Sequence, residues 1–535
     1  MKLHKILGIL AIGVAAVSCN DLEQAPSNKF TDKNYWTSPA RAQNVVNMAY
    51  NQMYNANWFW TDESLSDNVV DGNRVSEARL MRRGMATPSL GTYSSQWSDI
   101  YGGLKTCHVF LDHVSLMNMD ETLRSRMIAE IRFVRAFLYF RLTNLYGAVP
   151  FFTSDITLEQ ANTIARTPAE QIRSFIHSEL DDIVADLPSK NDLSAADNGK
   201  ITKGAALMLQ ARVYLMEGDW DNVIRYCDML INRQGEFGSY ELFNSYAGLF
   251  KEENEYNCEV ILDRSYVPNL ITWGEMADMA PLSVGARLAD RVPVQSLVDT
   301  YLTVSGYRID EEGTDYDPRD PYARRDPRLT ATVVYDGFRW ADNFGSGPQE
   351  IRTAPGSGTD DSYSGQGKSQ SSSGYYVFKY FASQTEGNLS SGLNLIMMRY
   401  ADVLLMYAEA MFEKGLMTAD VWNSTIRLIR QRAGLRSAKA LNYPSAASEA
   451  EMRRTIRDER RVELALEGLR WYDIKRWKAG KEYLDGKVLG ANFNGSNIEI
   501  DTYKFDETRD YLWAVPQDQI NLNKNLAPNN PGYSN

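Results

Sequence analysis

The chain has 535 residues, 44% of them hydrophobic and 11% aromatic, enough to bury a large core and too apolar for a disordered polymer. Its formal net charge of −12, from 57 basic and 69 acidic residues, argues against nucleic acid and anionic lipid surfaces as partners. Four Cys stand at no metal-binding spacing, whereas 30 Tyr and 11 Trp are an excess of rings, many in loop-like stretches beside Gly, Asn and Asp. Such rings stack on sugar faces while neighbouring amides and carboxylates take the hydroxyls.

Lys2 and Lys5 open the chain, residues 6–17 are apolar or small without interruption, and Ala16-Val17-Ser18 lead directly to Cys19. This is the layout of a secretory leader, and no other stretch approaches the roughly 18 apolar residues of a membrane span. A small residue followed by Cys resembles a bacterial lipobox. The resemblance implies a signal peptide at 1–18, cleavage before Cys19 and acylation of that residue, so that lipid chains hold the mature protein to a membrane. An ordinary leader with an incidental Cys is the alternative. Residues 19–33 are polar and read as a lipidated tether, and Asp21 and Glu23 within it resemble the surface-export signals of Bacteroidetes lipoproteins.

Helical patterns fill the next two hundred residues: 40–54 after Ser38-Pro39, 104–116, 122–146 closed by Gly147 and Pro150, and 168–187 before Pro188. Cys107 and Cys227 fall inside apolar helical patterns and read as buried free thiols. An internal repeat follows. The spacing of Leu207, Ala211 and Gly218 recurs at Leu404, Ala408 and Gly415, with Tyr214 and Met411 as the large residues, and Ala136 with Tyr139 echoes it. A small residue where helices cross and Gly at the turn is the logic of a tetratricopeptide helix pair. Between 236 and 394 the character changes to short β-prone pieces (259–262, 331–335, 375–379) among Gly-, Pro-, Asp- and Ser-rich runs, with 355–374 reading as a mobile low-complexity loop. Helical periodicity returns over 395–433 and 449–479.

Six segments then stand in order: IRFVRAFLYFRLTNLYGAVP at 131–150, RRDPRLTATVV at 324–334, MRYADVLLMYAEA at 398–410, IRQRAGL at 429–435, RDERRVELALEGLRWYDIKRW at 457–477 and LWAVPQDQINLNKNLAPNNPGY at 512–533. Together with the lipobox they resemble the SusD/RagB family of outer-membrane nutrient-binding lipoproteins over nearly the whole chain. The resemblance implies a mainly α SusD-like fold with tetratricopeptide-type helix pairs, one domain over 34–535, a helical scaffold at 34–235 and 395–535, and a variable ligand-binding insert at 236–394. It further implies a surface protein of the outer membrane that captures oligosaccharide or polysaccharide for a SusC-like TonB-dependent transporter. Some members take peptides instead, so peptide capture is the alternative, and an extracellular glycoside hydrolase is the third reading.

Two regions are expected to hold the ligand. After the first helix come Trp58, Trp60, Asp67, Asn68 and Arg74; two Trp two apart in an extended segment would face one way as a platform, or else anchor the helices. The insert supplies Trp273, Trp340 and Tyr363. Against catalysis, Glu459, Glu463 and Glu467 share one helix face and resemble no acid and nucleophile pair flanking a bond. Arg399, Arg430, Arg432, Arg460 and Arg470 are placed to neutralise them as an inter-helix ion network. His108, His113 and His177 lie on helices with no nucleophile elbow nearby. No cofactor is expected. Asp315, Asp317 and Asp320 have spacing suited to a structural calcium ion but lack the Gly and distal Glu of an EF-hand loop.

Overall fold

A computed structural model describes residues 35–341, 348–363, 369–381 and 390–534. The leader, Cys19 and the tether lie outside the described residues. The principal elements are α1 (Pro39–Met53), α2 (Ala56–Ser64), β1 (Val69–Asp71), α3 (Glu77–Arg82), α4 (Gly91–His113), α5 (Glu121–Tyr146), α6 (Ala169–Ile183), α7 (Lys203–Glu217) and α8 (Trp220–Asn232). They continue as β2 (Val260–Arg264), β3 (Arg291–Pro293), α9 (Gln295–Thr300), β4 (Phe338–Trp340), β5 (Gln349–Ile351), β6 (Leu395–Arg399), α10 (Tyr400–Glu413), α11 (Ile426–Ala433), α12 (Glu449–Glu463), α13 (Arg470–Arg476), β7 (Gly486–Phe493) and β8 (Ser496–Tyr503). The fold is mainly α, with short two-stranded sheets.

Local chemistry accounts for the helix ends. Asp120 caps α5 through Leu123 N at 2.9 Å, and Ser448 and Glu451 form a reciprocal capping box on α12. Gly218, at φ 74°, ends α7 in the left-handed region that favours Gly. The repeated small residues do what their spacing predicts: Ala136, Ala211 and Ala408 are fully buried. Helix α5 packs on α6, α7 on α8, and α8 on α10, so tetratricopeptide-type pairs stack across the chain although the insert separates α8 from α10 in sequence. One apolar cluster runs from Ala42 to Leu526 and takes in Trp273 and Trp340 of the insert. The last motif is stitched to α5, with Asn530 Nδ2 donating to Tyr146 O at 2.8 Å and Trp513 O at 2.6 Å.

Several elements differ from their sequence reading. Residues 395–399 form strand β6, paired with β2, where a continuous helix was expected. Their side chains are buried on both faces, and a run of Leu, Ile and Met has no period to tell strand from helix. Residues 327–332 are helical, leaving Val333–Val334 as the strand expected over 331–335. Helix α4 starts at Gly91, well before 104. The hairpin β7–β8 was not anticipated, although its tip Asn494-Gly495, both at positive φ, is the standard two-residue hairpin signal. The described part of the 355–374 loop is pinned by Asp361, whose carboxylate accepts from Leu282 N at 2.6 Å and from the Ser283 hydroxyl.

Candidate ligand-binding face

Strand β1 pairs antiparallel with β3, Val70 opposite Val292, and brings the loop after α2 against the insert. Gly72 makes the approach feasible: a Cβ there would stand 2.1 Å from Ala289 O, and its amide donates to Asp290 O at 2.5 Å. Beside this contact, exposed Arg287 forks onto Asp278 at 3.0 and 2.9 Å, and Arg291 reaches Asp290 at 3.4 Å. Burial pushes the Asp290 carboxyl up against the pull of Arg291, and Asp71 and Asp278 add to the rise. Ser283, whose amide donates to buried Asp361, leads on to half-buried Tyr363, whose amide donates to Thr353 O at 2.8 Å. Arg74 is exposed at the other edge. The resulting face offers guanidinium donors and carboxylate acceptors already fixed in orientation, with one ring at its border. That set matches polyhydroxyl ligands, whose groups both donate and accept.

Of the eight side chains expected to touch ligand, only Arg74 and Tyr363 lie on this face. Trp58 and Trp60 sit in α2, started by Asn55 capping Trp58 N at 2.9 Å, so the extended platform does not form and their side chains diverge by about 200°. They are 1% and 0% exposed, Trp58 beneath the Arg141 guanidinium and Trp60 against Phe59, Trp273 and Tyr380. Trp273 is buried, donates Nε1–H to Leu393 O at 2.8 Å and bridges Ser391 through its backbone. Trp340 in β4 packs between Phe378 and Phe381. These indoles fill the core because the insert folds onto the scaffold over them. Asp67 and Asn68 are likewise internal. Asp67 is gripped by Arg470 at 2.8 and 3.1 Å and held at about 2, Arg461 and Arg470 outweighing burial; Asn68 joins Glu63 and Arg461. Residues missed from sequence are Asp278, Arg287, Asp290 and Arg291, whose neighbourhood depends on a strand pairing across more than two hundred residues.

A consequence is measurable. Trp273→Ala should lower unfolding free energy by about 3–5 kcal/mol, the usual cost of truncating a buried large ring. Thermal and urea unfolding followed by circular dichroism checks this, and an unchanged midpoint would place the indole outside the core.

The acid ladder is an ion network. Glu459 meets Arg328 at 2.8 Å and Arg430 at 2.6 Å, Glu463 meets Arg399 at 2.6 Å and Arg328 at 2.9 Å, and Glu467 meets Arg399 and Lys379, each at 2.6 Å. Arg432 also pairs with Glu463, while Arg460 and Arg470 turn to Asp402 and Asp67. The three carboxylates are at most 5% exposed, which leaves no acid and nucleophile pair beside a substrate. Cys107 and Cys227 are buried free thiols, Cys107 pushed up to about 12 by burial. Of the acidic residues whose spacing could suit calcium, Asp315 takes Ser305 at 2.7 Å and Arg324 at 3.0 Å, and Asp317 takes Arg319. Among the described residues no group of three or more His, Cys, Asp or Glu is arranged to hold a metal, and no helix is long and apolar enough to cross a membrane.

Comparison with known proteins places this architecture. Residues 280–533 match the SusD family model, and residues 21–215 match a model described as starch-binding associating with outer membrane. SusD-like protein P2 of Formosa agariphila is 27% identical over the full length of both chains. Starch-binding protein SusD of Bacteroides thetaiotaomicron is 26% identical over 79% of this chain and 75% of its own. A crystal structure of a SusD-like carbohydrate binding protein from Bacteroides fragilis superposes with a TM-score of 0.82 at 26% identity, covering 92% of this chain and all of that one. With its helix pairs and family-model matches over residues 21–215 and 280–533, the chain is similar to SusD-like proteins over most of its length and has their mainly α fold.

Proposed function

We propose that this protein is a carbohydrate-binding lipoprotein of the outer membrane that captures oligosaccharide or polysaccharide at the cell surface and passes it to a SusC-like TonB-dependent transporter, without catalysis. In this reading residues 1–18 are removed, Cys19 carries the lipid, residues 19–33 are the tether, and residues 34–535 are the binding domain. The names of the relatives support carbohydrate as ligand, since SusD of Bacteroides thetaiotaomicron is named a starch-binding protein. The observation that carries the reading for this chain is the polar face at Arg74, Asp278, Arg287 and Asp290, bordered by Tyr363 and built where the insert meets the loop after α2. The buried state of Glu459, Glu463 and Glu467 supports binding over hydrolysis.

The test is an affinity-gel and calorimetric screen of residues 20–535 against plant, host and microbial polysaccharides and a peptide mixture. Binding to one polysaccharide class in the micromolar to millimolar range is expected. Arg74→Ala and Arg287→Ala should each weaken it about tenfold, or about 1.4 kcal/mol, while leaving the melting temperature within a few degrees because both side chains are exposed. Retention of peptides with silence on every glycan would replace this reading by peptide capture.

A further inference from the structure

We propose that a cavity inside the helical scaffold, remote from the ligand face, binds a short neutral acyl group: an acetyl substituent on a saccharide or a small free amide. The cavity, about 90 Å³, lies between α5, α7 and α13. Phe137, Leu215 and Tyr472 form its walls, with half-buried Phe140 and Met216 at the opening. Arg141 is the polar group that matters. It is 5% exposed, its Nη1 donates to Asp62 at 2.7 Å and Tyr472 at 3.1 Å, and its Nη2 to Asp62 at 3.1 Å and Gln96 at 2.7 Å. Its Nε–H is buried with no acceptor. Buried donors are mostly paired, and although other arginine Nε–H groups in the fold are also without an acceptor, this one belongs to a side chain that lines a cavity with room for one.

Size and charge narrow the occupant. A water takes about 30 Å³ and a cavity of about 150 Å³ takes benzene, so this one suits about three or four heavy atoms. A sugar ring is too large for the space. A carboxylate is disfavoured because the four guanidiniums lining the space already have carboxylate partners, Arg141 with Asp62, Arg212 and Arg460 with Asp402, and Arg476 with Glu409. A methyl group against Phe137 and Leu215, with a carbonyl oxygen accepting from Arg141 Nε, satisfies both the walls and the donor. The acetyl-saccharide source rests on the carbohydrate reading above; the free-amide source does not.

Saturation-transfer NMR on residues 20–535 with acetamide, N-acetylglucosamine and glucose tests it. Transfer to acetamide is expected, and to the acetyl methyl of N-acetylglucosamine if the saccharide is the source, with none to glucose. Met216→Trp, which narrows the opening, should weaken the signal at least tenfold. Leu215→Phe, which fills the wall, should do the same and serves if the first variant folds poorly. Arg74→Ala should leave acetamide binding intact, so that failure of the ligand face and failure of this cavity are read separately. No transfer to either acyl compound, or transfer unchanged in both filled variants with native circular dichroism, overturns the proposal.

Discussion

Arg399→Met is expected to lower the unfolding free energy by about 3–5 kcal/mol, because removing one partner of a buried ion cluster leaves the others uncompensated. Arg399 lies at the end of β6, 1% exposed, and holds Glu467 at 2.8 and 2.6 Å, Glu463 at 2.6 Å, Glu259 at 2.7 Å and the Glu463 carbonyl at 2.7 Å. Met fills a similar volume but leaves three carboxylates turned toward one another. Burial pushes the Glu463 carboxyl up, yet Arg432, Arg399 and Arg328 outweigh it and hold it at about 2. A carboxyl whose folded pKa is depressed contributes stability that is present above about pH 4.3 and is lost as pH falls through its folded value. Wild-type protein should therefore lose stability between about pH 4 and pH 2, and the variant should unfold at higher pH during acid titration. Lys487→Met, which breaks the exposed pair with Glu499, should cost no more than about 1 kcal/mol under the same conditions. Urea unfolding of the three proteins decides the matter. A loss near zero for Arg399→Met would mean that the cluster is hydrated and adaptable instead of closed.

The same cluster shows what a sequence can carry. Glu467, expected on one helix face with Glu459 and Glu463, lies past the end of α12 in the turn before α13. Two Glu four apart on a capped helix must still present one acidic stripe, and Arg-rich helices of matching hydrophobic pattern must approach it. That much follows from periodicity, and so do the buried Ala at the helix crossings. What periodicity leaves open is which Arg goes where: Arg460 and Arg470 sit on the helices expected to neutralise the stripe, but their positions on those helices aim them at Asp402 and Asp67. The Trp residues were misread for a related reason. A ring beside Asn and Asp looks like loop whether the loop is in water or roofed by the insert, and only the pairing of β1 with β3 and the docking of Phe378 and Phe381 decide that. The ligand face inverts the error. Arg287 and Asp290 lie in a stretch of ordinary surface composition, and nothing local signals that Gly72 and Asn73 will be folded against Asp290.

Stability should also rise as pH falls from about 8 to about 5, through two carboxylates at the joint where the insert returns to the scaffold. Glu255 accepts from Asn394 N at 2.8 Å, Asp263 of β2 accepts from Asn394 Nδ2 at 3.0 Å, and Asn394 Oδ1 accepts from Tyr266 N at 2.7 Å. Glu252 faces the pair from the preceding turn, Tyr256 and Ser265 border it, and Lys190, the cation alongside, donates its Nζ to Asn257 O at 2.7 Å and Val260 O at 2.8 Å. Burial therefore pushes Glu255 up to about 7, Asp263 and Glu252 adding to it, and Asp263 up to about 6. Folded values above the unfolded ones of about 4.3 and 3.9 mean that the native state binds more protons in this window, so protonation stabilises it. The gain from about pH 8 to about pH 5 should be about 2 kcal/mol, below the raw shifts because Glu255 is partly solvated. Glu255→Gln keeps an acceptor for Asn394 N and removes one charge, so it should raise the melting temperature at about pH 8 and flatten the profile. A variant whose profile parallels wild type would assign the pH dependence to other groups and leave Asn394 held by hydrogen bonds alone. Because Asn394 immediately precedes β6, whose last residue is Arg399, this joint and the buried ion cluster share one strand. Loosening either is expected to loosen the insert as a unit.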